Sequence, residues 1–363
     1  MDIEEFRGKY QRILDEVKVA VIGQDRVAEL LLTCVMAEGH AILTGMPGLG
    51  RTLIAETLGQ VLGMAVRRIQ FTPDLLPTDV TGTEVIDSVQ GRFQHRFLPG
   101  PVFANMVLAD EINRSPARTQ AALLEAMQEK QVTANGTRHV LKEPFLVVAT
   151  QNTVDTEGVY PLPEAQIDRF LMQIEVKYPT EDAELRILDA TTSVSRPTVC
   201  RVADPATVVA MQQFARVVPV SRTVKEFAAR LVRATRWEPK ERGARPTRQS
   251  RRYWWGGLRA PEEPEGVARH LRWGSSPRAG QALLRAAKVW AIARGRAYVT
   301  REDVLDVLPP VLAHRIILDH RAGARGMTAQ RVLEALVEEV CAEAAPKPTS
   351  SQMRALLLAM KQR

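Results

Sequence analysis

The sequence predicts an α/β protein, an αβα sandwich around a five-stranded parallel sheet, followed by an all-helical domain. Three observations carry this. Short apolar runs near 41–44, 65–71, 105–110, 144–150 and 171–176 alternate with helix-periodic stretches near 51–62, 116–128 and 163–169, and strands that alternate with helices close into a parallel sheet with crossover helices. From Tyr178 onward the strand signal stops, and segments such as TVKEFAARLVRAT, AGQALLRAAKVWAIARG and TAQRVLEALVEEVCAEA carry apolar residues at i, i+3/i+4 spacing, the pattern of packed helices. Finally, 363 residues with 45% apolar content exceed one typical core, so two domains are expected. The division reads as 1–177 for the α/β core, 178–344 for the helical domain with a basic insert at about 238–264, and 345–363 for a tail.

Composition narrows the class. No stretch approaches the roughly 20 apolar residues of a membrane span, and MDIEEFRGKYQRILDEV at the start is a charged amphipathic helix, not the apolar core of a signal peptide. A cytoplasmic protein is expected. Cys34, Cys200 and Cys341 are far apart, with no CxxC pair, so reduced and mostly buried thiols are expected, not disulfides or zinc ligands. A net charge of +7 and a pI near 9.5 permit nucleic-acid contact without requiring it.

Taken in chain order, the first element of interest follows the N-terminal helix. By spacing alone, Val21, Ile22 and Gly23 read as a plain turn before QDRVAELLLTCVMAEG. The run AILT at 41–44 then leads into GMPGLGRT at 45–52 and the helix-like LIAETLGQVL. A strand, a glycine loop and a helix in this order make a phosphate-cradling P-loop. Gly45, Gly48 and Gly50 let backbone N–H groups turn inward, Pro47 stiffens the loop, and Leu49 and Leu53 complete its two ends. The helix that follows aims its positive end at the same anion. Nucleoside triphosphate binding is therefore expected, with ATP and Mg²⁺ as ligands. Arg51 stands where Lys is usual. A planar guanidinium fits the β- and γ-phosphates less compactly than an ammonium, so binding should survive better than hydrolysis.

The run NMVLADEINR at 105–114 delivers Asp110 and Glu111 at a strand end, the Walker B arrangement. Asp110 and the Thr52 hydroxyl would hold Mg²⁺, and Glu111 would deprotonate the attacking water. The strand PFLVVATQN at 144–152 ends in Asn152, where an amide either reaches the γ-phosphate or serves a turn. Between these strands, 79–100 alternates apolar and polar residues about a VQG turn, and 130–142 carries Asn-Gly between two extended runs, a hairpin signal.

Together GMPGLGRT, ADEINRSPARTQAALLEAMQE, ATQNTVDTEGVYPLPEAQIDRF and GSSPRAGQALLRAAKVWAIARGRAYVTREDV resemble the MoxR family of AAA+ ATPases, over about residues 10–235 and 268–340. The resemblance implies an AAA+ core with a helical lid, Asn152 as sensor 1, Arg169 in PEAQIDRF as an arginine finger reaching a neighbour's nucleotide, and Arg278 in SSPRAGQ as sensor 2 on its own subunit's γ-phosphate. The alternative for Arg169 is an ion pair with Glu164 or Asp168. Arg278 sits in the first turn of a helix, where a cation is unfavourable without a compensating anion. The resemblance also makes Val21, Ile22 and Gly23 the segment that packs on the base, with Gly23 allowing close backbone approach, against the plain turn that spacing alone gives. It makes 79–100 a helix-2 insert and 130–142 a pre-sensor-1 hairpin, contacting a client or capping the sheet edge. It implies a ring, a hexamer in this family, remodelling or maturing a client or adaptor protein, for example one with a von Willebrand factor A domain. Two other functions remain open: a slowly hydrolysing, nucleotide-gated scaffold, suggested by Arg51, and a nucleic-acid motor, disfavoured because no nucleic-acid-binding motif is visible. The insert at 238–261 sets Lys240, Arg242, Arg245, Arg248, Arg251, Arg252 and Arg259 against Glu238 and Glu241, followed by Tyr253, Trp254 and Trp255. Such a segment suits an acidic client or adaptor better than nucleic acid. The tail reads as a Pro/Ser linker and a short basic amphipathic helix.

Overall fold

The computed structural model describes residues 1–89, 92–134, 136–152, 159–192, 197–236, 266–324 and 326–344. The basic insert, the tail, Asn135 of the Asn-Gly turn and residues 153–158 of the sensor 1 segment therefore lie outside the described residues. By contact, the chain divides into one compact unit of Met1–Ala228 with Ser276–Arg315 and a second of Ala229–Ser275 with Ile316–Arg363.

The first unit opens with α1 (Ile3–Ala20). Its N-cap is Asp2, whose carboxylate accepts the Glu5 N–H at 2.8 Å, and its stripe Phe6, Tyr10, Ile13, Leu14 and Val17 is buried at the spacing of one helix face. Next come α2 (Asp25–Met36), β1 (Ala41–Gly45), α3 (Arg51–Val61) and β2 (Val66–Gln70). After β2 the chain forms α4 (Pro77–Thr81) and the antiparallel pair β3 (Gly82–Val89) and β4 (Arg92–Pro99), then β5 (Met106–Asp110) and α5 (Ala117–Glu129). A second hairpin, β6 (Gln131–Ala134) and β7 (Thr137–Val140), precedes β8 (Leu146–Asn152), the one-turn α6 (Glu164–Ile167) and β9 (Met172–Val176).

Five strands form the sheet, in the order β2-β5-β8-β1-β9, with every pairing parallel. Each of the five expected strands is present. All of β5 and the first five residues of β8 are buried, because helices cover both faces of such a sheet and leave no polar side for alternation. Register brings the strand ends level. Gly45 of β1 lies opposite Asn152 of β8, and Gln70 of β2 lies opposite Asp110 of β5. Gly45, Asp110 and Asn152 thus share one edge of the sheet, the C-terminal edge where open α/β sheets bind ligands.

Both hairpins form where the sequence placed them, and they touch. Phe97 of β4 stacks on His139 of β7, with ring centroids 3.9 Å apart and planes at 16°, and Phe103 meets Phe97 edge-on at 5.5 Å.

The remaining helices of this unit are α7 (Glu181–Thr192), α8 (Pro205–Arg216), the start of α9 (Arg222–Ala234), α10 (Pro277–Ala293) and α11 (Arg301–Leu312). An alanine-rich face of α10, with Ala279, Ala282, Ala286 and Ala287 buried, allows close packing against α1, α2 and α8. Trp290 is 0% exposed. Its indole N–H donates to Asp306 Oδ2 at 2.8 Å, and the Arg294 and Arg26 guanidinium carbons lie 3.8 and 4.4 Å from its ring, which fixes α10 and α11 on the α1–α2 pair. That packing explains why the compact units do not divide near residue 177. The C-terminal helices α10 and α11 bury their apolar faces on the core.

The second unit holds the end of α9 and a short antiparallel pair, β10 (Leu271–Trp273) and β11 (Ile317–Leu318). It also holds α12 (His320–Ala324) and α13 (Ala329–Ala344). Apart from that two-stranded pair, the regular structure of its described residues is helical. No described helix is long and apolar enough to cross a membrane. The expectation of mostly buried thiols is corrected: Cys34 is buried inside α2, but Cys200 and Cys341 are exposed; Cys341 follows the buried Val340 on α13 and so falls outside that helix's buried stripe.

Candidate nucleotide site

The P-loop has the backbone an anion cradle requires. Gly48 and Gly50 take φ of +83° and +76°, where a side chain would be strained, and a Cβ at either would meet nothing within 4 Å. The loop therefore faces open space with its N–H groups free to turn inward. Gly45 is needed for a different reason: a Cβ there would stand 2.4 Å from the Val176 carbonyl oxygen of β9. Gly50 is the N-cap of α3, so the positive end of that helix opens onto the same space. Thr52 follows in its first turn. Arg51 is only 8% exposed and does not extend into the loop. It turns along the sheet edge, and Nη1 donates to the Gln151 carbonyl at 2.6 Å, next to Asn152.

Asp110, 8% exposed, is held from both sides. Oδ1 accepts the Thr150 hydroxyl at 2.6 Å; Oδ2 accepts Arg68 Nε and Nη2 at 3.1 and 2.5 Å. Glu111 stands in left-handed backbone at φ +55°, and its N–H donates to the same Thr150 hydroxyl at 2.8 Å. Its Oε2 accepts Gln70 Nε2 at 3.2 Å and pairs with Arg114 Nε at 3.1 Å. Thr150 therefore fixes both carboxylates at once, and β2 supplies a side chain to each. Asn152 is 6% exposed, and its carbonyl accepts Asn113 Nδ2 at 3.2 Å. Thr52 and Asp110 together offer a hydroxyl and a carboxylate, hard oxygen donors of the kind Mg²⁺ takes, so the residues present fit the ion. Sequence reading missed Thr150, Arg68, Gln70 and Arg114. Their roles depend on strand register, and only Thr150, two residues before Asn152 on a strand that ends at the site, left a trace in the sequence.

A cavity of about 700 Å³ opens beside the loop. Val21, Ile22 and Pro47 through Gly50 form one wall; Tyr178 with Ile187 and Leu188 of α7 forms the other. Leu53 also lines it. Tyr178 and Leu188 are 69% and 53% exposed, apolar surface suited to a flat base, and neither was anticipated. Gly23 has a packing reason for being glycine. At φ +74°, its Cβ would stand 2.7 Å from the Ala183 Cβ, so a side chain would push α7 away.

Arg169 and Arg278 meet elsewhere. Both line a cavity of about 450 Å³ that no P-loop residue borders. Arg278 lies on the wall of this cavity and not on that of the P-loop cavity. The cause is the docking of α10 along α1, α2 and α8, which opens the helix start beside Arg169. Other cations of this cavity are engaged: Arg216 with Glu38, Lys130 with Glu143 at 2.7 Å, Arg285 with the Ala37 and Glu38 carbonyls. Among the described residues Arg169 forms no ion pair with Glu164 or Asp168. Its Nη1 donates to the Leu124 carbonyl at 2.9 Å, and its Nε is buried without a partner. Arg278 is exposed in the first turn of α10, with no carboxylate on it among the described residues.

Comparison with known proteins agrees with this geometry. The profile of the ATPase family associated with various cellular activities (AAA) matches residues 40–172, and that of the AAA lid domain matches residues 265–336. The chain is 39% identical over 330 residues to Chaperone MoxR1 of Mycobacterium tuberculosis, covering 91% of this chain and 81% of that protein. It is 30% identical over 334 residues to Protein MoxR of Methylorubrum extorquens, covering 87% and 90%. A crystallised candidate ATPase from Cytophaga hutchinsonii superimposes with a TM-score of 0.78 at 38% identity, covering 93% of this chain and 95% of that one. With Gly45, Asp110 and Asn152 on one sheet edge and these relatives along nearly its whole length, the chain belongs to the MoxR family of AAA+ ATPases.

Proposed function

We propose that the protein binds Mg²⁺ and ATP at the P-loop edge and assembles into a ring, a hexamer by family. In that ring each nucleotide is completed by Arg169 and Arg278 of the neighbouring subunit, and hydrolysis drives remodelling or maturation of a client protein. The observation that carries this reading is the second cavity: two arginines that have no carboxylate partner among the described residues share it, away from their own P-loop, and cations so placed in one cleft suit a phosphate delivered from outside. Within a site, Thr52 and Asp110 would hold the metal, which would supply charge neutralisation at the transferring phosphoryl group. Asn152 orients the attacking water, and Glu111 takes its proton. Gln70 and Arg114 engage Glu111 at rest, so those contacts loosen as the base becomes active. Tyr178 and Leu188 pack on the adenine.

Client contact is supported by the paired hairpins. Ile86 on β3 and Val140 on β7 are 66% and 75% exposed, isolated apolar side chains on elements joined by the Phe97–His139 stack, and the basic insert is a further candidate for an acidic client or adaptor. An ATP-consuming factor of this kind fits the cytoplasm.

A second reading, the nucleotide-gated scaffold, is favoured by the tether of Arg51 to the Gln151 carbonyl, which draws the Walker A cation back from the phosphates. The test of the first reading is the mass of Glu111→Gln at micromolar concentration with and without Mg-ATP. It should retain ATP, lose turnover and shift from small species to a ring. A strict monomer in ATP, with parental turnover in Arg169→Ala, removes the trans assignment.

A further inference from the structure

Arg315 is buried, its side chain 3% exposed, and of the five hydrogen bonds its guanidinium donates, four go to the segment that carries Arg169. Nε donates to Asp168 Oδ1 at 2.8 Å. Nη2 donates to the Asp168 carbonyl at 3.1 Å and the Phe170 carbonyl at 2.5 Å. Nη1 donates to the Leu171 carbonyl at 3.1 Å and to the Val311 carbonyl one turn back on α11. The backbone on both sides of Arg169 is thereby pinned to one rigid fork. The remaining oxygen of Asp168, Oδ2, accepts the Ser276 hydroxyl at 2.8 Å. Ser276 is the N-cap of α10, and its hydroxyl in turn accepts the Arg278 N–H at 3.2 Å. A single carboxylate therefore joins the two arginine-bearing segments.

We propose that Arg315, Asp168 and Ser276 are positioning residues that set Arg169 and Arg278 as the two arms of one phosphate clamp, acting on the neighbouring subunit's nucleotide. The inference rests on the trans reading above and adds what aims the arms.

Two physical points support it. Asp168 is adjacent to Arg169 in sequence and lines the same cavity as Arg278, so it is the carboxylate best placed to neutralise either. Arg315 and Ser276 occupy both of its oxygens and leave the two arms free. Desolvation lowers the pKa of Arg315 while Asp168 beside it opposes the shift. A buried pair of this kind returns little net stability against its desolvation cost, whereas fixing geometry has a large effect on rate: a 1 Å displacement of a catalytic group costs about 100-fold.

The test uses Ser276→Ala, Asp168→Asn and Arg315→Lys in the full chain, with Arg169→Ala as reference. Each positioning variant should bind a fluorescent ATP analogue within about twofold of the parent and lose about 10- to 100-fold in turnover. Mixed with Glu111→Gln subunits, each should recover turnover as far as Arg169→Ala does in the same mixture. There the variant contributes an intact P-loop side and Glu111→Gln contributes intact arms. A subunit that is merely misfolded has no sound P-loop side to contribute and gains nothing on mixing. If Arg315→Lys does not fold, Ser276→Ala and Asp168→Asn decide. Parental turnover in both, or lowered turnover that mixing does not restore where Arg169→Ala is restored, overturns the proposal. Failure of Arg169→Ala itself to recover would instead remove the trans reading on which it rests.

Discussion

Replacing Thr150 by valine removes one hydroxyl from the interior and keeps nearly the same shape, so its effect isolates that oxygen. Thr150 is 0% exposed. Its hydroxyl donates to Asp110 Oδ1 at 2.6 Å and accepts the Glu111 N–H at 2.8 Å, so both Walker B residues lose a partner together. A hydrogen bond to a charged group contributes about 1.5–3 kcal/mol, and a buried N–H left unpaired costs about 1–3 kcal/mol. Asp110 keeps Arg68 on its other oxygen, and water reaches the rim of the site, so the sum is discounted to about 2–4 kcal/mol of unfolding free energy. The catalytic loss should be larger in proportion. Glu111 is held in left-handed backbone, and without the hydroxyl its carboxylate has no fixed height above the sheet, which predicts a fall of about 100-fold in turnover. Urea unfolding gives the first quantity and steady-state phosphate release the second, with analogue binding as control. A variant within about 0.5 kcal/mol of the parent and with parental turnover would refute the view that Thr150 organises the site.

Arg51→Lys should raise kcat several-fold with little change in ATP affinity, because lysine is too short to keep the Gln151 carbonyl and its ammonium returns to the loop; unchanged or lower kcat by phosphate release would mean the loop is adapted to arginine. Stability should fall with acid through His40. Burial lowers its pKa from 6.5 to about 4, so the unfolded chain takes up a proton that the native ring refuses, and stability present above pH 6.5 is lost as pH drops toward 4, by about 2–3 kcal/mol. Denaturant midpoints across that range should show a steeper slope in the parent than in His40→Phe, and equal slopes would contradict the assignment. Native protein should react with thiol reagents at Cys200 and Cys341 only, since burial raises the Cys34 pKa to about 12 and thiolate is the reactive form; rapid labelling of three thiols by mass spectrometry would show that α2 opens.

The sheet was legible in the sequence because its strands read as short apolar runs, and three of the five end on a residue with a chemical reason to be there. Gly45, Asp110 and Asn152 declare themselves by position. The inserts were equally plain, since alternation and an Asn-Gly turn are local signals. What could not be read is whatever depends on register or docking. Arg68 and Gln70 look like ordinary strand residues until β2 is laid beside β5, and Thr150 matters because it falls opposite the gap between Asp110 and Glu111. The pinning of Arg169 by Arg315 joins residues 146 positions apart through a fold of helices on the core, with no trace in spacing. The same docking decides Arg278. Its helix was correctly read, but the partner that receives its N-terminus is set by the alanine face of α10 and by Trp290, which sequence periodicity marks only as buried.

The most direct test of the central claim, that one active site is built from two copies of the chain, is ATP turnover in an equal mixture of Glu111→Gln and Arg169→Ala. Each variant alone should be nearly inactive. In a mixed ring about a quarter of the sites join an intact Glu111 to an intact Arg169 from the neighbour, so the mixture should recover about a quarter of parental specific activity. Turnover no higher than the average of the separate variants, in rings shown to exchange subunits, would contradict the account.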